Sequence, residues 1–237
     1  MRNSAELVGY TNWIGGSPDS TLVDTIAECA RVSNPSGPRK SSNEKLVRYL
    51  IKERHWSPLE MANIVLDVTT DRTVARQVLR HSLHVQEFSQ RYSATETTSG
   101  VYEARLQDTA NRQNSLECDD EDTADWWTER QMNLRDHAFT LYDQALKKGI
   151  AKEVARAILP EGLTLTRMFL NGNVRNWCHY VAARTAPDTQ KEHRDLAHRI
   201  VDAIEPVFPM ITDFVYSNST RVTPYGVTIC TTTGENT

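Results

Sequence analysis

Residues 62–70, ANIVLDVTT, are rich in β-branched side chains and alternate apolar with polar, as a half-buried strand does. The segment has few counterparts. Elsewhere apolar residues recur every three or four positions, the period of a helix that buries one face. In TLVDTIAECARVS the stripe is Leu22, Ile26, Ala27 and Ala30. Asn43 can cap a second helix, EKLVRYLIKER, that ends near His55, and Asp71 a third that runs to about His81. Further helices are expected from Trp126 to about Gly149, in AKEVARAIL before Pro160, and in NVRNWCHYVAART and DTQKEHRDLAHRIVDAI, with a short apolar piece at Leu163 to Leu170. The acidic segment from Asp108 to Asp125 reads as a surface loop, and TRVTPYGVTICTTTGENT as a short strand before a disordered end. This pattern predicts an α+β class: one mixed domain over residues 1–237, helix-rich, with a small central antiparallel or mixed sheet and a tail from about residue 220 that is partly disordered.

A hydrophobic fraction of 39% with 24% charged residues suits a globular protein, and no apolar run approaches the ~20 residues of a membrane span. MRNSAELVGY lacks the apolar core of a signal peptide, so an intracellular, cytoplasmic location is expected. The net charge of −4 disfavours a general nucleic-acid binder but leaves room for a small anion in a local basic pocket. Cys29, Cys118, Cys178 and Cys230 are scattered, as reduced thiols are. GxGxxG, GxxxxGK[ST], HExxH and GxSxG are missing, and His193 and His198 stand five apart on one helix, beyond the usual ligand pair, so no metal is expected.

One stretch departs from ordinary surface chemistry. From Arg76 to Ser93 the chain places three arginines, two histidines, a glutamate, three glutamines and three serines, and no lysine. Planar, multidentate groups suit recognition of a phosphate or a ring edge. Helical spacing assigns Val74, Ala75, Val78 and Leu79 to the core, and Gln77, Arg80, His81 and His84 to a polar face. NVRNWCHYVAART repeats the design, with Val174, Cys178, Val181 and Ala182 inward, Arg175 and His179 on a second face, and Asn176, Tyr180 and Arg184 on a third. Cys178 reads as a core thiol. Arg156, beside an apolar stripe, reads alone as a surface arginine, and for His55, after a helix end, structural and catalytic readings stand level.

These segments resemble the flavin-dependent thymidylate synthases. The family signature is Arg-His-Arg, seven residues, Ser, then Arg-Tyr; this chain has RHSLHVQEFSQRY. HWSPLE resembles the family's His-x-Ser/Thr-Pro-x-Glu, EVARAILP its Arg-x-x-Leu-Pro, NVRNWCHYVAARTAPDTQKEHR its Asn-x-Arg…Arg…Gln-x-Glu block, and ARVSNP its Ala-Arg-Val-Ser. The likeness runs in order from about Ala30 to Arg194. It implies a homotetramer with interfacial active sites, binding FAD, dUMP, methylenetetrahydrofolate and NADPH, that makes dTMP without a cysteine nucleophile. Carried over by position, Gln77, Arg80, Glu87, Ser89, Gln90, Arg91, Arg156 and Arg184 match nucleotide-binding residues, with Arg184 stabilising the ionised uracil ring and Arg91 and Arg156 suited to the phosphate. Ser33, Ser57, Arg80, His81, Glu87, Asn173, Arg175 and His179 match cofactor-binding positions, and His55 a catalytic position near flavin and folate. Two departures stand out: Met61 replaces a frequent histidine, and the stretch after His81 is one arginine shorter than the signature. A dCMP or hydroxymethyl-transferring relative, or a degenerate nucleotide-binding homologue, are the alternatives.

Overall fold

The computed structural model describes residues 3–35, 41–95, 98–112, 114–216, 222–223 and 226–227. In chain order these form β1 (Ser4–Tyr10), α1 (Leu22–Arg31), α2 (Asn43–Lys52), β2 (Asn63–Asp71), α3 (Arg72–Val78), β3 (His84–Glu87), β4 (Arg105–Gln107), β5 (Ser115–Glu117), α4 (Glu121–Lys147), α5 (Lys152–Ala155), β6 (Leu165–Asn173), α6 (Val174–Arg184), α7 (Lys191–Ile204), and the short β7 (Val222–Thr223) and β8 (Gly226–Val227). The expected α+β class holds, with a four-stranded sheet in the order β1-β2-β6-β3, every pair antiparallel. The disordered end expected from about residue 220 falls outside the described residues, apart from the β7–β8 pair.

The two central strands set the plan. Each runs without a loop into a helix, and each junction carries its own cap. Asp71 ends β2 and accepts from the Val74 N–H at 3.0 Å; Asn173 ends β6 and accepts from the Asn176 N–H at 2.9 Å. Because β2 and β6 are antiparallel, with Asn63 opposite Asn173 and Asp71 opposite Leu165, α3 and α6 start at opposite ends of the sheet. Ile64, Leu66, Val68, Met168 and Leu170 alternate onto one face and meet Val74, Val78, Val174, Trp177 and Val181 in a shared core with α1, α2 and α7. Gly172 lets this happen: a Cβ there would stand 2.4 Å from Leu83 Cδ2 and 3.2 Å from Trp177 Nε1. The same indole donates to the Ile64 carbonyl at 3.1 Å.

Several boundaries differ from expectation, for local reasons. The cap of α2 is Ser42, whose hydroxyl accepts from Lys45 N–H; Asn43 is the first helical residue and donates to Asp24 at 2.6 Å. The helix stops at Lys52, before His55. The α3 helix ends at Val78, so Leu79 is exposed and not part of the stripe, and Arg80, His81 and His84 are not helical. Ser82 lies in that turn, past the last helical residue, where the missing arginine does not disturb helical phase. The piece at Leu163 to Leu170 belongs to the central strand β6, and β1 and β3 had no counterpart in the reading of the sequence. The Asp108–Asp125 segment is not only loop: it holds β5 and the acidic start of α4, where Glu121 and Asp122 favour the positive end of the helix.

Candidate active site

The structure gathers most of the predicted residues at three junctions. The most enclosed lies where α3 and α6 end and α7 begins. Arg184, half-buried in the last turn of α6, donates from Nε to Nε2 of His81 at 2.7 Å. His81 sits edge-on to Tyr180, ring centroids 4.8 Å apart. The Tyr180 hydroxyl lies 3.0 Å from His193 Nε2, and His193 Nδ1 lies 3.0 Å from Gln77 Oε1. Gln77 donates to Gln190 at 2.6 Å, Gln190 to Glu192 at 2.9 Å, and Arg105 closes on Glu192 with two bonds of 2.8 and 2.9 Å. Thus Tyr180 and Arg184, one turn apart on α6, both reach this cluster.

Electrostatics here favour neutral rings beside one strong cation. Burial, reinforced by the positive charges of Arg184 and Arg80, pushes His81 down to about 4. Burial, then Arg184 and His81, takes His193 down to about 3. Burial raises the Tyr180 hydroxyl. Burial would also raise Glu192, but the bonds from Arg105 and Gln190 outweigh it and hold the carboxylate below its ordinary range. Arg184 finds an imidazole lone pair and, among the described residues, no carboxylate, so its charge is held in place without being neutralised.

The second junction is the turn after β3. Glu87 is engaged by its own protein: Arg72 lies 3.1 Å away and the Thr166 hydroxyl donates at 2.9 Å. Gln90 is buried and donates to Thr95 at 3.0 Å, while Ser89 Oγ accepts from the Arg91 N–H at 3.4 Å. Arg91 meets Glu153 of α5 at 3.2 Å, which sets it beside the segment that carries the half-buried Arg156. The third junction joins the start of α6 to the 3₁₀ turn Ser57–Met61. Arg175 pairs with Glu60, His179 stands edge-on to Trp56 at 5.1 Å, and Asn176 donates to the Ser82 carbonyl at 2.6 Å. Asn173 spends its side-chain oxygen on the cap of α6. Arg80 is exposed and has no ion-pair partner among the described residues. Ser33, in the turn after α1, and His55, edge-on to Tyr49 at 6.2 Å, are exposed and stand apart.

Four participants escaped the reading of the sequence: Gln190, Glu192, His193 and Arg105. Gln190 and Glu192 lie inside the quoted Gln-x-Glu block, and His193 adjoins it, so a signal existed for them. Arg105 belongs to no motif. Cys178 is fully buried with its thiol pushed well up by burial, as a core residue and not a nucleophile. A cavity of about 460 Å³, lined by Leu22, Val207 and Met210 among others, contains none of the predicted site residues.

Comparisons with known proteins bear on the lineage and the fold. The family model described as Thymidylate synthase complementing protein matches residues 19–210. The chain is 43% identical over 210 residues to a probable flavin-dependent thymidylate synthase of Paramecium bursaria Chlorella virus 1, covering 88% of this chain and 96% of the relative. It is 49% identical over 173 residues to the flavin-dependent thymidylate synthase of Synechocystis sp., covering 73% and 79%. Its fold superposes on a UMP/dUMP methylase, PolB, of Streptomyces cacaoi, solved with 5-Br UMP, with a TM-score of 0.73 over 90% of this chain and 95% of the other, at 22% identity. At that identity the superposition speaks for the fold, while the extent of the sequence matches decides the lineage: the chain belongs to the Thymidylate synthase complementing protein family, together with the flavin-dependent thymidylate synthases it resembles.

Proposed function

We propose that this chain is a flavin-dependent thymidylate synthase that methylates dUMP to dTMP, with methylenetetrahydrofolate as carbon donor, FAD as the redox group and NADPH as reductant. The observation that carries the reading is Arg184. A guanidinium held by a neutral histidine keeps its full charge for a ligand, whereas one paired with a carboxylate, as Arg91 and Arg175 are, must first exchange that partner for the ligand. Beside a uracil ring such a cation stabilises the anion left when the ring N–H is lost, and delocalisation of that charge makes the ring C5 carbon nucleophilic. A fixed donor of this kind is worth roughly 3 kcal/mol of barrier. The buried, protonated Cys178 takes no part.

The donor set also fits a flavin dinucleotide. Exposed Arg80 and half-buried Arg175 suit a diphosphate, and Ser33, Ser57, His81, Glu87, Asn173 and His179 complete the residues that would hold the group. When bound, the flavin supplies hydride chemistry that no side chain offers. The protein's share is to bind, orient and exclude water. Gln77, Ser89, Gln90, Arg91 and Arg156 receive the nucleotide, Arg91 and Arg156 at its phosphate, and His55 acts near flavin and folate.

The active assembly is a homotetramer, located in the cytoplasm, or in the host cytoplasm for a viral chain. One observation favours several copies: α4 leaves Trp126, Trp127, Leu134 and Leu141 exposed. None of the described helices is long and apolar enough to cross a membrane.

The test is direct. Purified protein with FAD, methylenetetrahydrofolate and NADPH should release deuterium from C5-labelled dUMP and yield dTMP by mass. Release from labelled dCMP alone, or a hydroxymethylated product, would replace this substrate or product with its rival. Protein that binds neither FAD nor dUMP ends the reading.

A further inference from the structure

His193 is fully buried on α7, faces no solvent, and has no role in the reaction as proposed, yet it stands in the middle of the polar chain below the site. The direction of that chain can be worked out from its far end. Glu192 is an ionised carboxylate clamped by Arg105, so it only accepts. Gln190 must therefore turn its NH₂ toward Glu192 and its oxygen toward Gln77. Gln77 must then turn its own NH₂ toward Gln190 and its oxygen toward His193. An amide oxygen only accepts, so His193 carries its proton on Nδ1. Its Nε2 lone pair is left for the Tyr180 hydroxyl, which donates. Every link depends on the one before, and one flipped amide would set two acceptors or two donors face to face in a buried place.

We propose that His193 is a positioning residue which, held as the Nδ1–H tautomer, completes from the oxygen side the lock that Gln190 places on the Gln77 amide, so that its NH₂ faces the site and position 77 offers a donor to an oxygen acceptor of the nucleotide. One N–H of that NH₂ serves Gln190; the second remains for the ligand. The inference rests on the reading that Gln77 contacts the nucleotide. His193 stays neutral through burial, so acid does not reverse the chain under ordinary conditions.

Two measurements decide it. Long-range ¹⁵N NMR of the full-length wild-type protein should show His193 protonated on Nδ1; the Nε2–H tautomer overturns the proposal, and this result does not depend on any variant folding. In kinetics, His193→Leu should raise KM for dUMP roughly tenfold with kcat changed less than about twofold, the signature of lost ligand binding. His193→Asn, whose side-chain N–H can take the Nδ1 place, should recover most of the loss. In a Gln77→Ala background, His193→Leu should add nothing further. Equal effects of Leu and Asn, or an undiminished effect without Gln77, would reduce His193 to a packing residue and refute the idea. If Gln77→Ala itself leaves KM unchanged, the assignment of Gln77 to the nucleotide is what fails, and the proposal falls by its premise and not by its own logic.

Discussion

Arg167 and Arg184 show how one residue type takes opposite roles according to its partner. Arg167, on the outer face of the sheet, is tied to both oxygens of Asp67 and lies over the Phe169 ring at 5.3 Å, so its charge is spent. Arg184 is tied to a neutral imidazole and keeps its charge. Arg184→Ala should therefore lower kcat by about 10²–10³, measured by single-turnover formation of dTMP, whereas Arg167→Ala should leave it near wild type. The histidines carry a second expectation. The unfolded chain takes up its histidine protons near 6.5, folded His81 at about 4 and folded His193 at about 3. Between these limits the unfolded state binds more protons, so this share of stability is whole above pH 6.5 and is lost as the pH falls toward 4 and then 3. His193 can contribute a slope of up to about 1.4 kcal/mol per pH unit, and His81, only half-buried, less because solvent screens it. Denaturant midpoints at about pH 7 and about pH 5 should fall more steeply for wild type than for His193→Leu.

At the scale of elements, junction chemistry decides more than helix propensity. The α2 helix ends with the His55 N–H reaching back to the Leu50 carbonyl at 2.8 Å, a closing turn that needs a left-handed residue, and that residue is Arg54, at φ 60°. A side chain with a Cβ is strained there. Arg54→Gly should stabilise the protein by about 1 kcal/mol, raising Tm by roughly 2–4 °C; an unchanged or lower Tm in calorimetry would show that the arginine side chain compensates for its backbone. Helices α1, α4, α6 and α7 were legible because their buried residues recur at helical spacing. Strand β6 was not, because its inward positions are Thr166, Met168, Leu170 and Gly172, a mixed set with no clean alternation. Edge strands β1 and β3 are short or partly exposed and carry still less pattern.

For the whole molecule, the outstanding feature is α4. Of its 27 residues only Gln131, Ala138 and Tyr142 are buried, and Gln131 is held by the Tyr102 backbone through bonds of 2.9 and 2.7 Å. Trp126, Trp127, Met132, Leu134 and Leu141 are exposed along a helix of which the described residues cover only part, Tyr142 packing on Ala155 and Leu159. Light scattering should find four copies together at micromolar concentration, and Leu134→Glu should shift the population to smaller species and abolish turnover, since the dispersed site residues then lack their complement. A Leu134→Glu protein that is still tetrameric and active would place the interface elsewhere.

By itself the sequence determined the chemistry available: the lysine-free run from Arg76 to Ser93, the two polar faces of NVRNWCHYVAART, and the motifs that name the lineage. Those features are local, readable from residues a few positions apart. Only the tertiary structure decided which groups meet. Gln77 bonds Gln190 at a separation of 113 residues and His193 at 116, and Arg105 reaches Glu192 across 87. Burial then took the rings out of water, held them neutral, and gave the chain of bonds its single direction. No spacing along the sequence encodes that outcome, because it depends on which buried atoms find partners once the helices have packed.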